Sequence, residues 1–246
     1  MKLVKNIGVA IWMYCHLFTI AKLYRTVKKY RKSQQYELER DTIRRMQHKW
    51  GLDVTGKGKI KINAVGLEKI PPEPCVFVAN HQSYLDLAVF TAAIDRQMGF
   101  ISKKSLKRLP AFGKFIYSVR SVYIDSEDAR GAVAVIEKGI EHLKLGFSMG
   151  IFPEGRRSKG PEMGEFKRGS LRLATKPGVP VVPVTISGTY QGFEEQGWFV
   201  PVEVDFFVHD PIETKGMGKK EANALGDTVE KIVKDKLLAL QNKGKA

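Results

Sequence analysis

The sequence predicts an α/β fold, a mixed β-sheet flanked by helices, preceded by an N-terminal pair of membrane-binding helices. Three observations predict it. Short apolar runs alternate with longer amphipathic ones through most of residues 60–210, the pattern of a sheet layered between helices. Two clusters of chemically active residues each follow an apolar run directly, where α/β proteins place reactive groups at strand exits. Ahead of this pattern comes a strongly basic stretch with its own apolar core. With 246 residues, 43% of them hydrophobic, the chain can bury a sizeable interior. The expected division is 1–55 for the membrane-associating helices and 56–246 for the α/β domain.

Residues 7–21 carry no charge apart from His16. Lys2 and Lys5 precede them, and Lys22, Arg25, Lys28, Lys29, Arg31 and Lys32 follow. No small-residue cleavage site precedes the basic run, which argues against a cleaved signal peptide. The run falls short of the ~20 residues that span a bilayer comfortably, and cations on both flanks disfavour a crossing. A helix dipping into one leaflet is expected, with a single spanning helix as the close alternative and a buried helix of the folded body as the third. Residues 24–50 read as a basic amphipathic helix or helix pair, with Tyr36, Ile43, Met46 and Trp50 near one face. From Met1 to Trp50 there are twelve Lys or Arg against three acids, a balance that suits an anionic membrane surface. The same apolar face would equally suit packing on the main domain.

Lys59–Val65 alternates as an edge strand, and Pro71-Pro72-Glu73-Pro74 leads into the apolar strand Cys75–Ala79. Gly99–Ser102 and Ser121–Asp125 read as short strands. Asp128–Leu145 reads as a helix with Ala132, Val135, Ile136, Ile140 and Leu143 inward, and Ser148–Phe152 as the next strand. A helix is expected from Glu165 to about Lys176. Val179–Ser187 is an apolar strand in which Pro183 needs a bulge or an edge position. Val200–Val208 alternates as a further strand. Glu221–Gln241 closes the chain as a helix with Ala224, Val229, Ile232, Val233 and Leu237 inward.

The first active cluster is Asn80-His81-Gln82-Ser83-Tyr84-Leu85-Asp86, between the strand ending at Ala79 and a helix beginning near Leu87. Residues five apart on one helix point about 140° away from each other. His81 and Asp86 therefore meet only if His81 lies before the helix and Asp86 in its first turn. Ser83 as N-cap would make Asp86 the N3 residue. A histidine so placed can take a proton from a hydroxyl while the carboxylate fixes its tautomer. The alternative is a helix-capping Asp86 beside an ordinary loop histidine.

The second cluster is Phe152-Pro153-Glu154-Gly155-Arg156-Arg157-Ser158, again at a strand's exit. The planar forks of Arg156 and Arg157 suit a phosphate. Glu154 is expected to accept hydrogen bonds from substrate hydroxyls or to hold an arginine. Backbone N–H groups around Gly155 are the candidate oxyanion donors. From Arg96 to Ile124 stand seven basic residues and no acid, a candidate headgroup patch in which Lys103 and Lys104 follow a strand.

Together these clusters resemble the glycerolipid acyltransferase family, the lysophosphatidic acid acyltransferases of the bacterial PlsC type. The family pattern N-H-x-x-x-x-D is met at Asn80, His81 and Asp86. The pattern F-P-E-G-T-R-S is met except at Arg156, where the family usually has threonine. Val122-Tyr123-Ile124-Asp125 is similar to the F-I-x-R block, though Ser126 stands near where an arginine is often found. Val179-Pro180-Val181-Val182-Pro183-Val184 is similar to the V-P-I-x-P-V block. The likeness covers roughly residues 70–190 and implies a glycerolipid acyltransferase-like fold. It also implies transfer of a fatty acyl group to the free sn-2 hydroxyl of lysophosphatidic acid, giving phosphatidic acid. The donor would be an acyl thioester of acyl carrier protein or coenzyme A, used as co-substrate with no resident cofactor. His81 would be the general base and Asp86 its orienter, with no acyl-enzyme, since no G-x-S-x-G elbow is present. Arg157, helped by Arg156 and Lys104, would hold the acceptor's phosphate. The family's F-K-x-G block also places Lys167 at the site.

A net charge of +15 points to an anionic partner or surface, and nucleic acid, anionic lipid, a phosphorylated substrate and an acidic carrier all qualify. Against nucleic acid, aromatic residues are not interleaved with the basic patches as stacking platforms. A different acceptor, such as glycerol 3-phosphate or another lysolipid, and a non-catalytic membrane tether are the remaining alternatives. Cys15 and Cys75 suggest no disulfide framework, and the five histidines show no metal-ligand spacing. The expected location is the cytoplasmic face of the cell membrane, monotopic or single-pass.

Overall fold

The structure is a computed structural model describing residues 7–9, 11–12, 15–17, 21–125, 129–167 and 169–243. In chain order its principal elements are α1 (Ala21–Lys32), α2 (Tyr36–Gly58), β1 (Ile60–Val65), β2 (Val76–Ala79), α3 (Asp86–Ala93), β3 (Met98–Lys103), α4 (Pro110–Ser118) and β4 (Val122–Ile124). There follow α5 (Ala129–Lys144), β5 (Ser148–Ile151), the single turn α6 (Arg172–Thr175), β6 (Val181–Ser187), β7 (Val202–Val208) and α7 (Lys219–Lys243). The strands form one seven-stranded sheet in the order β1-β7-β6-β2-β5-β3-β4. β4, β3, β5, β2 and β6 run parallel, and β7 and β1 run against them, so the sheet is mixed as expected.

Each strand of the centre is buried on both faces, which is why β2, β5 and β6 read as unbroken apolar runs. On one face Phe77, Val184, Ile186 and Phe206 pack with Val89 and Phe90 of α3. Phe90 meets Phe77, Phe100, Phe152 and Phe206 edge-on, at centroid distances of 5.2–6.3 Å. On the other face Val76, Val78, Met149 and Val181 pack with Val135 and Ile140 of α5 and Val229 and Val233 of α7. Each such side chain contributes about 1.5–3 kcal/mol on burial.

α1 and α2 dock on this body. Val27, Ile43, Met46, Trp50 and Val54 bury against Ala88 of α3, Phe115 of α4, Val119 just after α4, and Phe147. Gly51 permits the contact: a Cβ there would lie 2.5 Å from the Ala92 nitrogen. The apolar face anticipated at Tyr36, Ile43, Met46 and Trp50 is therefore core, while Arg25, Lys28, Lys29, Lys32, Arg45 and Lys49 stay exposed. The expected division at residue 55 falls inside α2, which runs on to Gly58. Among the described residues no helix is long and apolar enough to cross a membrane. The rest of the uncharged N-terminal run, with Ser126, Asp128 and Arg168, lies outside the described residues.

Two expectations need correction. The helix expected from Glu165 is only the turn Arg172–Thr175, because residues 161–167 are irregular. In α7 the inward residue is Leu225, whereas Ala224 is exposed. Pro183 sits at a bulge, as its sequence requires: between the Val184↔Val208 pair and the Val181↔Ile212 bridge, three residues of β6 face four of its partner.

Candidate active site

Parallel strands place their exits on one edge, so the segments after β2, β5 and β6 converge. Asn80 closes the gap just beyond the ladder. Its Nδ2 donates to Ile186 O and its Oδ1 accepts from Ile186 N, both at 2.8 Å. The chain then turns outward through His81. His81 N donates to Glu154 Oε1 at 2.6 Å, and His81 O accepts from Ser158 N at 2.8 Å. The backbone of the histidine is thus held on both sides by the segment after β5.

The imidazole is held as firmly. His81 Nδ1 lies 2.6 Å from Asp86 Oδ2, and its ring stacks on Phe152 with centroids 4.2 Å apart. Asp86 is fully buried. Its Oδ2 also accepts from Gln82 N (2.7 Å) and Ser83 N (2.9 Å), and its Oδ1 accepts from Thr189 Oγ1 at 2.5 Å. Four donors and the N-terminus of α3 stabilise the carboxylate charge. An acceptor-only carboxylate at Nδ1 fixes the proton there, leaving Nε2 as the acceptor. The His81 side chain is 20% exposed, whereas Asp86 is fully enclosed.

The cap geometry differs from expectation. Asp86 is the first residue of α3, and Ser83 does not cap it; Ser83 Oγ accepts from Leu85 N at 3.0 Å instead. Asp86 folds back over its own preceding turn, and that brings it to His81. Neither Ser83 nor Cys75 is placed as a nucleophile, since burial also pushes the Cys75 thiol up to about 11.

Among the described residues no arginine is bonded to Glu154; two backbone N–H groups hold it instead. Oε1 takes the His81 N–H and Oε2 takes the Gly164 N–H at 2.8 Å, so it ties three segments together. Burial raises its carboxyl to about 6, opposed by those two backbone donors. Gly155 adopts φ +70°, and a Cβ there would lie 2.7 Å from Lys167 Nζ, which brings Lys167 to the site. The Gly155 N–H closes a turn on Phe152 O and is not free for an oxyanion. Arg156 is exposed at the rim. Arg157 Nη1 donates to Glu194 Oε1 at 2.7 Å, and its guanidinium lies over the Tyr84 ring, 3.3 Å from the centroid. Lys104, at the exit of β3, is exposed and paired with Asp125 at 3.2 Å.

The seven-cation stretch does not act as one patch. Arg96 donates to the carbonyls of Pro71, Pro72 and Glu73, and Arg120 is buried against Glu39. Thr189, Glu194 and Tyr84 were missed from sequence. Nothing local distinguishes the anchored Glu194 from the exposed Glu195 beside it.

A fully buried carboxylate thus holds one nitrogen of a histidine at the exit of β2, and an arginine is anchored on the segment after β5. The Acyltransferase family profile matches residues 61–187, just over half of the chain, and the chain belongs to that family. A chloroplastic 1-acyl-sn-glycerol-3-phosphate acyltransferase of Brassica napus is 36% identical over 62% of this chain and 45% of its own length. The enzyme of that name from Pseudomonas aeruginosa is 30% identical over 70% of this chain and 66% of its own. The crystal structure of the 1-acyl-sn-glycerophosphate (LPA) acyltransferase PlsC from Thermotoga maritima superposes with a TM-score of 0.73. It shares 29% identity, with 98% of each chain covered. Against three plant and algal relatives the chain spans only 36–53% of their length.

Proposed function

We propose that this chain transfers a fatty acyl group from an acyl thioester to the sn-2 hydroxyl of lysophosphatidic acid, forming phosphatidic acid. The observation that carries the reading is the His81–Asp86 pair at the exit of β2, with Arg157 anchored on the segment whose Ser158 N bonds His81 O. The names of the relatives support the same acceptor. His81 Nε2 takes the proton of the acceptor hydroxyl as its oxygen attacks the thioester carbonyl. The tetrahedral adduct then collapses, the C–S bond breaks, and the imidazolium returns the proton to the departing thiolate. Asp86 stabilises that imidazolium and stays ionised. No acyl-enzyme forms.

Arg157 holds the acceptor's phosphate with the guanidinium edge that Glu194 leaves open, and Arg156, Lys167 and Lys104 add positive field around it. Glu154 acts through the backbone of His81, and Gly155 lets Lys167 approach. The N-terminal residues 1–55 bind the cytoplasmic face of the membrane through the exposed cations of α1 and α2, with exposed Ile7 and Ile11 as apolar contacts. The acyl carrier protein or coenzyme A thioester, itself anionic, is drawn to the same surface. No nucleic acid is involved.

The test is product formation from a long-chain acyl thioester with an acceptor panel: lysophosphatidic acid, glycerol 3-phosphate and lysophosphatidylcholine. Phosphatidic acid as the preferred product supports the reading. Preference for glycerol 3-phosphate would move the acceptor pocket, with exposed Arg156 the first residue to revisit. No product with any acceptor would defeat it. Sedimentation with vesicles containing anionic lipid tests the membrane role separately.

A further inference from the structure

The family profile ends at Ser187, yet the chain just beyond it turns back across the site. Gly188, at φ +102°, donates its N–H to Gln82 Oε1 at 3.0 Å, and Gly192 packs so closely on Leu85 that a Cβ would lie 2.7 Å from its Cδ1. Within this packed turn Thr189 Oγ1 donates to Asp86 Oδ1 at 2.5 Å, both residues being fully buried. Five residues on, Glu194 Oε1 accepts from both Tyr84 N (3.0 Å) and Arg157 Nη1 (2.7 Å). The Glu194 side chain is only 4% exposed, and its Oε2 is buried without a partner among the described residues.

We propose that Thr189 and Glu194 are positioning residues: Thr189 sets the base through Asp86, and Glu194 sets the acceptor's phosphate clamp through Arg157. This rests on the acyltransferase reading above. Asp86 Oδ2 already carries three donors, so without the Thr189 hydroxyl its Oδ1 is buried and unsatisfied. The carboxylate then gains by rotating, and rotation breaks its alignment with His81 Nδ1. Arg157 is fixed by a different logic. With Nη1 on Glu194 and its face on Tyr84, the guanidinium presents one defined edge to an anion. Glu194 confers direction rather than charge, because it cancels part of the arginine's field. The two residues therefore act on different kinetic quantities from one turn of chain.

The test compares wild type with Thr189→Val, Thr189→Ser and Glu194→Gln, using a long-chain acyl thioester and lysophosphatidic acid in mixed micelles. Thr189→Val should lower kcat about 10- to 100-fold with the acceptor KM within about twofold, and Thr189→Ser should restore most of it. Glu194→Gln should raise the acceptor KM about 10-fold while kcat and the donor KM change less than about threefold. A proton NMR reading of His81 Nδ1–H, taken without substrates, should show an upfield shift in Thr189→Val and none in Thr189→Ser. If Thr189→Val and Glu194→Gln shift kcat and KM alike, or an active enzyme tolerates both, the proposal is overturned. The same holds if serine rescues nothing. A wild type that acylates no lysophosphatidic acid overturns the acyltransferase reading instead, and the NMR comparison still decides the role of Thr189.

Discussion

At the exit end of β2 and β5 stand His81, Arg157 and Lys167, of which His81 is bonded through its Nδ1 and Arg157 through its Nη1. At the entry end of the same sheet, Arg31, Arg96 and Arg120 are consumed by the protein itself. Arg120 reaches Glu39 through two nitrogens (2.8 and 2.6 Å) and lies over Phe147. Arg31 takes Glu39 from the other side at 2.7 Å and donates to the carbonyls of Tyr117 and Ser118. This triad fastens α1 and α2 to the body. The histidines divide in the same way: burial holds His142 and His209 at about 4, neutral and inert, while His81 alone joins a fully buried carboxylate to a partly exposed ring. Residue type is shared between the ends; what separates function from structure is whether a group's donors are already used.

That contrast can be broken by substitution. His81→Ala should lower kcat about 10²- to 10⁴-fold, with a thermal midpoint close to wild type, because the imidazole contributes little to the core. Glu39→Ala should do the reverse. It leaves Arg31 and Arg120 without their buried partner and should cost about 3–5 kcal/mol in denaturant unfolding, while activity per folded molecule is retained.

Glu154 lies between the two cases, bonded to backbone on both oxygens yet touching His81. Burial raises it from an ordinary 4.5 to about 6, so the folded state binds its proton more tightly than the unfolded chain does. Its contribution to stability is therefore full well below pH 4.5 and is lost, by about 2 kcal/mol in all, as pH rises through about 6. Urea unfolding at pH 4.5 and 6.5 should show that loss in wild type and not in Glu154→Gln. The smallest effect belongs to Lys104. Its exposed pair with Asp125 is worth less than about 1 kcal/mol, and Lys104→Ala should change the acceptor KM less than about threefold.

The layered fold was legible because burial on both faces leaves a continuous apolar signature in β2, β5 and β6, and turn residues bound each run. His81 and Asp86 were legible from their position at a strand exit. The reason they meet was not, since the capping geometry placed Asp86 two residues later in the helix than it stands. Lys104 and Arg157 were legible as cations, but whether a cation is free depends on partners such as Asp125 and Glu194, 21 and 37 residues away. Thr189 carried no signal at all. A buried threonine donating to a carboxylate 103 residues earlier is a product of the β2–β6 pairing, which no local pattern encodes.

The central claim is direct transfer by a histidine base without an acyl-enzyme, and pre-steady-state thiol release tests it most directly. Enzyme is mixed with an excess of long-chain acyl thioester, with and without lysophosphatidic acid, and the protein mass is read in parallel. Direct transfer predicts steady thiol release only when the acceptor is present, and no mass gain on the protein. A burst of thiol equal to the enzyme concentration without acceptor, with one acyl group added to the chain, would contradict it.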